Sequence, residues 1–375
     1  MSPPVPFVDL AAMTREVRGA LDEGWAGLLE SSRFIGGVAV EEFECDWASY
    51  CGTRHAIGVA NGTDALRLTL TALGIGPGDE VIVPANTFIA SAGAVVLAGA
   101  VPRFADVSPD TLLLTATDLK AAITPRTRAV IVVHLYGQLP DLTELAKAAS
   151  AAGIALIEDA AQAHGATWQG ARAGSTGIAG CFSFYPAKNL GAFGDAGAVV
   201  TSDSGLAERI AILRDHGREP GSHYEHSMIG TNSRLDALQA IVLSAKLRRL
   251  DAWTNARREV AARYREAFEE TPARMVSELP GSAGAYHLAV VRVPNRDEVR
   301  RQLASKGVAT QIHYPVPCHR QVPYRQYATG PLPVAERTAG EILSLPMFPH
   351  LTDEQVTTVC DAVREVTGAR EEAVA

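Results

Sequence analysis

Over the first 250 residues, short β-rich apolar runs alternate with Ala/Leu-rich stretches of helical spacing. The apolar runs predict strands at residues 81–84, 101–106, 128–134, 154–159, 180–185 and 198–202. Between them, helical patterns lie at residues 64–73, 87–98, 141–152 and 205–215. Runs such as AVIVVHLYG and IALIEDAA are continuously apolar rather than alternating, as in strands buried on both faces. This rhythm predicts an α/β fold: a mostly parallel sheet between two layers of helices. From residue 236 to 270 the pattern is that of one long helix. Short strands in HLAVVRV and ATQIHYP and a terminal helix follow, the outline of a smaller C-terminal α+β domain. The boundary falls within the long helix, giving a large domain at 1–250 and a small one at 251–375, with the N-terminal helix a candidate to pack on the small domain. Residues 313–333 are dense in Pro, His and Tyr; a loop so expensive to order either moves or shapes a site. The closing GAREEAVA reads as a frayed end.

Composition narrows the class. A chain of 375 residues suits two domains better than one. The 47% apolar and 20% charged content is that of an ordinary globular enzyme. A net charge of −8 opposes a nucleic-acid partner, whose phosphates need a positive surface. The basic residues Lys246, Arg248, Arg249, Arg257 and Arg258 fall on the predicted long helix and read as its solvated face. The cysteines (Cys45, Cys51, Cys181, Cys318, Cys360) are odd in number and lack CxxC spacing, so reduced cytoplasmic thiols are expected rather than a disulfide framework or a metal site. MSPPVPFVDL lacks the basic-then-apolar order of a signal peptide, and no apolar stretch reaches the roughly 18 residues of a membrane span.

Four local features carry candidate chemistry. Asp159 closes an apolar strand, and in open α/β sheets ligands bind beyond the carboxyl ends of strands; alone, it reads equally as a helix cap or an ion-pair partner. Lys188, in CFSFYPAKNLGAFGDAGA, lies among aromatic, apolar and glycine neighbours that would desolvate its ammonium and prepare it as a nucleophilic amine. The bland alternative is a lysine snorkelling to water. Gly62 and Thr63 open a helix after HAIGVA, which makes either an anion site or a plain N-cap. Phe88, after another strand end, offers a ring to stack on a flat ligand, or is simply core. Together these are the needs of pyridoxal 5'-phosphate (PLP): a phosphate site, an amine, an acid for the ring nitrogen and a stacking face.

The segments NGTDAL, GDEVIVPANTFIASAGAVVLAGAVPRFADV, HLYGQLPDL, EDAAQAHGA, FSFYPAKNLGAFGDAGAVVTSD, HGREP, NSRLDALQA, IHYPVPCHRQVPY and LSLPMFPHL follow one another along nearly the whole chain. In that order they closely resemble the DegT/DnrJ/StrS-type sugar aminotransferases, PLP enzymes of the aspartate-aminotransferase fold (fold type I). The resemblance implies that Lys188 is the Schiff-base lysine and proton carrier and that Asp159 partners the pyridinium nitrogen. It implies Gln162 near the ring hydroxyl, Gly62, Thr63 and Ser183 as phosphate ligands, and Phe88 as the stacking ring. Asn232 resembles the residue that reaches the phosphate of the neighbouring subunit, which implies a homodimer with shared sites. His164, His313 and Tyr314 resemble positions lining the sugar pocket. Ala187 stands where many members have Thr or Ser. Family members aminate nucleotide-linked keto-sugars or keto-cyclitols, with L-glutamate as the expected donor and pyridoxamine phosphate as the intermediate cofactor form. FYPAKNLGAFGDAGA with IHYPVPCHRQVPY looks most like enzymes acting on carbon 3 of a dTDP-3-keto-6-deoxyhexose, in deoxyamino-sugar pathways such as those of antibiotics. Carbon 4 and cyclitol enzymes are the alternatives. The family also holds dehydratases with histidine in place of the lysine. From another class altogether, a PLP-binding regulator without turnover is the rival.

Overall fold

The computed structural model describes residues 4–368, so the rest of the tail read as frayed, from residue 369, lies outside the described residues. In chain order the strands are β1 (His55–Val59), β2 (Glu80–Pro84), β3 (Val101–Ala105), β4 (Thr127–Val133) and β5 (Ala155–Asp159). Then come β6 (Thr167–Trp168), β7 (Ala171–Arg172), β8 (Ala179–Ser183) and β9 (Gly197–Thr201). The last four are β10 (Arg274–Met275), β11 (Ser282–Ala283), β12 (Ala289–Arg292) and β13 (Ile342–Leu345).

Seven of these form the main sheet in the order β1-β9-β8-β5-β4-β2-β3. Within it, β3, β2, β4, β5 and β8 pair in parallel, and β9 alone runs against its neighbours. Successive strand residues point to opposite faces. In β4, Val130 and Val132 join one apolar cluster with Phe43, Trp47 and Phe182, while Ala129, Ile131 and Val133 join another with Leu66 and Leu70. Both faces of the sheet are therefore core, and the continuous apolar runs follow from that. The predicted strands and helices of this region all form, with ends moved by one or two residues.

The long predicted helix does not form in one piece. It is two helices, Ala237–Leu247 and Leu250–Ala267, with a break at Arg248 and Arg249 where the Arg249 N–H turns back to Lys246 O. The basic residues on it are not one solvated face. Arg248 and Arg249 are exposed, but Lys246 and Arg257 are only 3% and 2% exposed. Spacing explains this: Arg257 stands four residues from Trp253 and three from Val260, both buried, so it shares their inward face. Its guanidinium donates to Met347 O at 2.8 Å. Lys246 Nζ donates to Gly191 O at 2.6 Å and lies 4.6 Å from the centre of the Phe193 ring.

A three-stranded sheet, β10-β12-β13, packs with the helices Leu250–Ala267, Arg296–Ser305 and Asp353–Thr367 around a further apolar cluster containing Tyr264, Leu303 and Val359. The expected strand in ATQIHYP is absent: only Gln311 pairs, with Ser344, before Pro315 and Pro317 remove ladder donors. The chain instead runs through short 3-10 turns at Cys318–Arg320 and Val322–Tyr327. The N-terminal helix Leu10–Ser31 sets Met13, Val17 and Leu21 against Val242 and Trp253.

Candidate active site

The carboxyl ends of the parallel strands gather the candidate residues. Asp159 is the last residue of β5 and is 7% exposed. Its Oδ2 accepts from the Ser91 hydroxyl at 2.6 Å and its Oδ1 from the Ala161 N–H at 3.2 Å. No lysine, arginine or histidine among the described residues pairs with it. A buried carboxylate without a cation is costly, so a cationic ligand group would be welcome there. Its neighbour Glu158 points to the other face and is fully buried. It accepts from His134 Nε2 and from the N–H groups of Gly174, Thr176 and Gly177, all within 2.8 Å. Burial alone would raise its pKa, but the His134 contact and these amides hold it below the usual carboxylate range. Glu158 thereby fixes the strand end that presents Asp159.

Lys188 sits in the loop between β8 and β9, half-buried. Burial pushes its pKa down to about 8, against a smaller upward pull from Asp159. The helix Gly62–Ala72 begins beside β8. Asn61 caps it by accepting from the Asp64 N–H at 2.8 Å, which leaves the Gly62 and Thr63 amides at its open end. A side chain on Gly62 would stand 2.6 Å from Ser183 Cβ, so glycine lets this helix end close directly on Ser183. Together these residues make a compact set of donors suited to an anion.

Phe88 is 51% exposed, and its ring centre lies 5.5 Å from that of Tyr314. Gln162 is buried; its amide oxygen accepts from the Tyr136 N–H at 2.6 Å, and its amide nitrogen donates to the Tyr314 hydroxyl at 3.1 Å. The Tyr136 hydroxyl donates to His313 O at 2.7 Å. Tyr136 holds a left-handed backbone with φ of 64°, an uncommon conformation for a non-glycine residue, and these bonds fix it. The network draws the Pro/His/Tyr-rich segment onto the sheet end. His313 pairs with the Ser344 hydroxyl at 2.8 Å, and burial lowers its pKa to about 4. Burial pushes the Tyr314 phenol up.

Two expected residues lie elsewhere. The His164 ring is 0% exposed, enclosed by Trp47, Phe182 and Phe184 with ring centres 5.4–6.0 Å away. Burial lowers its pKa to about 3. It is a neutral core histidine with no face to offer a sugar, which corrects its expected place in the sugar pocket. Asn232 is exposed and pairs with Asp215 across a β-bridge; its side chain bonds to none of the residues above.

The structure also brings in residues that no local motif had marked. Asn189, next to Lys188, donates to Ala285 O at 2.8 Å and contacts His287 Nδ1 at 3.3 Å. Burial, with the Lys188 charge second, holds His287 neutral well below its usual range. Ser91 and Thr87 stand behind Asp159, 2.8 Å apart. Polar residues held at a strand end and in the first helical turn after it were the available signal for that pair.

Residues 19–364 match the model of the DegT/DnrJ/EryC1/StrS aminotransferase family. The chain belongs to this family. Over 367 residues it is 47% identical to the dTDP-3-amino-3,4,6-trideoxy-alpha-D-glucose transaminase of Streptomyces venezuelae, covering 97% of this chain and 96% of that protein. It is 43% identical over 366 residues to a protein of Geobacillus stearothermophilus named pleiotropic regulatory protein, covering 96% and 98%. Among solved structures, S. venezuelae DesV, in complex with a ketimine intermediate, superposes with a TM-score of 0.95 at 46% identity, covering 99% of this chain and all of that one. The aminotransferase family is PLP-dependent, and the chain is an enzyme of the PLP-transferase fold. No described helix is long and apolar enough to cross a membrane.

Proposed function

We propose that this chain moves an amino group from L-glutamate to a nucleotide-linked keto-sugar, aminating carbon 3 of a dTDP-3-keto-6-deoxyhexose, as a cytoplasmic homodimer. One observation carries the reading: Lys188, held partly deprotonated by burial, shares a strand-end site with the cation-free carboxylate of Asp159, in a chain 47% identical to a named 3-amino-sugar transaminase.

Bound PLP supplies an electron sink that lets one amine be taken from the donor and given to the acceptor in two half-reactions. With the cofactor bound, Lys188 Nζ would hold it covalently, and the same nitrogen, once free, would carry the proton between the substrate carbon and the cofactor. Asp159 would keep the ring nitrogen protonated. The Gly62 and Thr63 amides with the Ser183 hydroxyl would bind the phosphate, Phe88 would cover the ring, and Gln162 would reach the ring hydroxyl. His313 and Tyr314 would face the sugar.

An apolar surface supports the dimer. Phe34, Ile35, Val38 and Leu238 are 41%, 54%, 60% and 41% exposed. They adjoin one another because Phe34 O accepts from the Ala237 N–H and Ile35 bridges Asp236. Trp25 links this patch to Phe193, in the Lys188 loop, with ring centres 5.9 Å apart. A patch of this kind suits an interface with a second copy, and in that dimer Asn232 is the residue proposed to reach the neighbour's phosphate.

One assay tests the proposal. Protein loaded with PLP is given glutamate and a panel of dTDP-keto-sugars and a keto-cyclitol, with 2-oxoglutarate followed together with product mass and the NMR position of the new amine. The proposal expects 2-oxoglutarate release and an amine at carbon 3. An amine at carbon 4 or on a cyclitol moves the substrate, and absence of turnover across the panel overturns the proposal.

A further inference from the structure

Asp159 lies at the end of a chain of two hydroxyls that the roles above do not use. Ser91 and Thr87 are 0% and 3% exposed, so water does not reach either. A serine hydroxyl has one proton. Ser91 directs it to Asp159 Oδ2 at 2.6 Å; in the 2.8 Å contact with Thr87 Oγ1, Ser91 is therefore the acceptor and Thr87 the donor. Thr87 lies in the turn that leads into the helix Ile89–Leu97 and Ser91 near the start of that helix, four residues apart on either side of Phe88. The turn is itself held from the Pro/His/Tyr-rich segment: Cys318 N–H donates to Ala85 O at 2.9 Å and its thiol to Thr87 O at 3.3 Å. With the Ala161 N–H on Oδ1, each carboxylate oxygen has one fixed donor.

We propose that Ser91, oriented by Thr87, is a positioning residue that keeps Asp159 charged and aimed, so that the proton shared with the cofactor rests on the ring nitrogen. This rests on the proposed PLP chemistry and deepens it. A buried hydroxyl donating to a carboxylate favours its charged form, and no water can replace the donor at a closed site. Without it, the shared proton shifts towards Asp159 and the ring is a weaker electron sink.

The test uses holoenzyme loaded with PLP carrying 15N at the ring nitrogen. Ser91→Ala should move the ring 15N resonance towards that of an unprotonated pyridine. Its kcat should fall about 10- to 100-fold, with KM for the keto-sugar within about twofold. Ser91→Thr, which keeps the hydroxyl, should restore both. Thr87→Val, of nearly the same shape, should shift both readouts in the same direction but less, and it serves if Ser91→Ala fails to fold. A wild-type resonance and kcat in Ser91→Ala overturn the proposal. So does an equal loss of kcat in the Ala and Thr variants with the resonance unmoved, because that marks a packing role only. A wild-type protein that takes up no labelled PLP overturns the function itself, an outcome separate from any difference between variants.

Discussion

In its proposed role, Lys188 sets the pH at which cofactor can be captured. Only a neutral amine attacks an aldehyde, and with a pKa of about 8 roughly a tenth of the lysine is neutral at pH 7. At the ordinary value of 10.5 the fraction would be about 300 times smaller. Burial penalises the ammonium, so the folded apoprotein releases this proton earlier than an unfolded chain would. The rate at which apoprotein takes up PLP should therefore rise about tenfold per pH unit from pH 6 and level off near pH 8. Stopped-flow absorbance checks this; a rate still climbing at pH 10 returns Lys188 to the ordinary lysine range. At this scale the sequence was readable wherever a residue closes a strand, as Asp159 does. It was misleading where chemistry depends on orientation. A histidine in EDAAQAHGA reads the same with its ring towards a sugar or inside the Trp47–Phe182–Phe184 box. Partners such as Asn189 and His287 are 98 positions apart, and no local pattern links them.

The helix Gly62–Ala72 does its work through where it starts. Its open amide end can serve a phosphate only if it closes on Ser183, and that approach leaves no room for a β-carbon at Gly62. Gly62→Ala must push the helix end away from Ser183 by several tenths of an ångström. The expected result is cofactor affinity weakened about tenfold or more, roughly 1.4 kcal/mol, with kcat at saturating PLP much less affected. Equilibrium dialysis against PLP and a kcat measurement separate the two, and unchanged affinity would remove this helix end from the phosphate site. Elements with strong local signals were visible beforehand: β4 is largely a run of buried apolar side chains, and the helical spacing of residues 141–152 matches the helix Leu142–Ala151. The break at Arg248–Arg249 was not, because neither glycine nor proline marks it. Lys246 and Arg257 were misread for a related reason. Their charge suggests solvent, but their spacing places them on the packed face, where carbonyl oxygens of distant segments receive them.

Across the whole molecule, the exposed apolar patch and the Lys188 loop are neighbours. Trp25 donates to Leu238 O at 3.3 Å and meets Phe193, while Lys246 holds Phe193 and Gly191 from beneath. Whatever covers Phe34, Ile35 and Leu238 therefore also covers the flank of the loop that carries Lys188. A second copy of this chain fits that demand, because a two-fold contact buries the same patch on both copies at once. Ile35→Asp combined with Leu238→Asp sets two carboxylates into that surface in each copy, and so four into the interface, where charge is costly to desolvate. The double variant should sediment as a single 39.7 kDa chain where the wild type sediments as two. With Asn232 in the cross-subunit role proposed above, the variant should also hold PLP less tightly. The two effects should appear together as protein concentration is lowered. A wild type that sediments as one chain, with full PLP occupancy and turnover, would show that each chain completes its own site and that the patch serves another purpose.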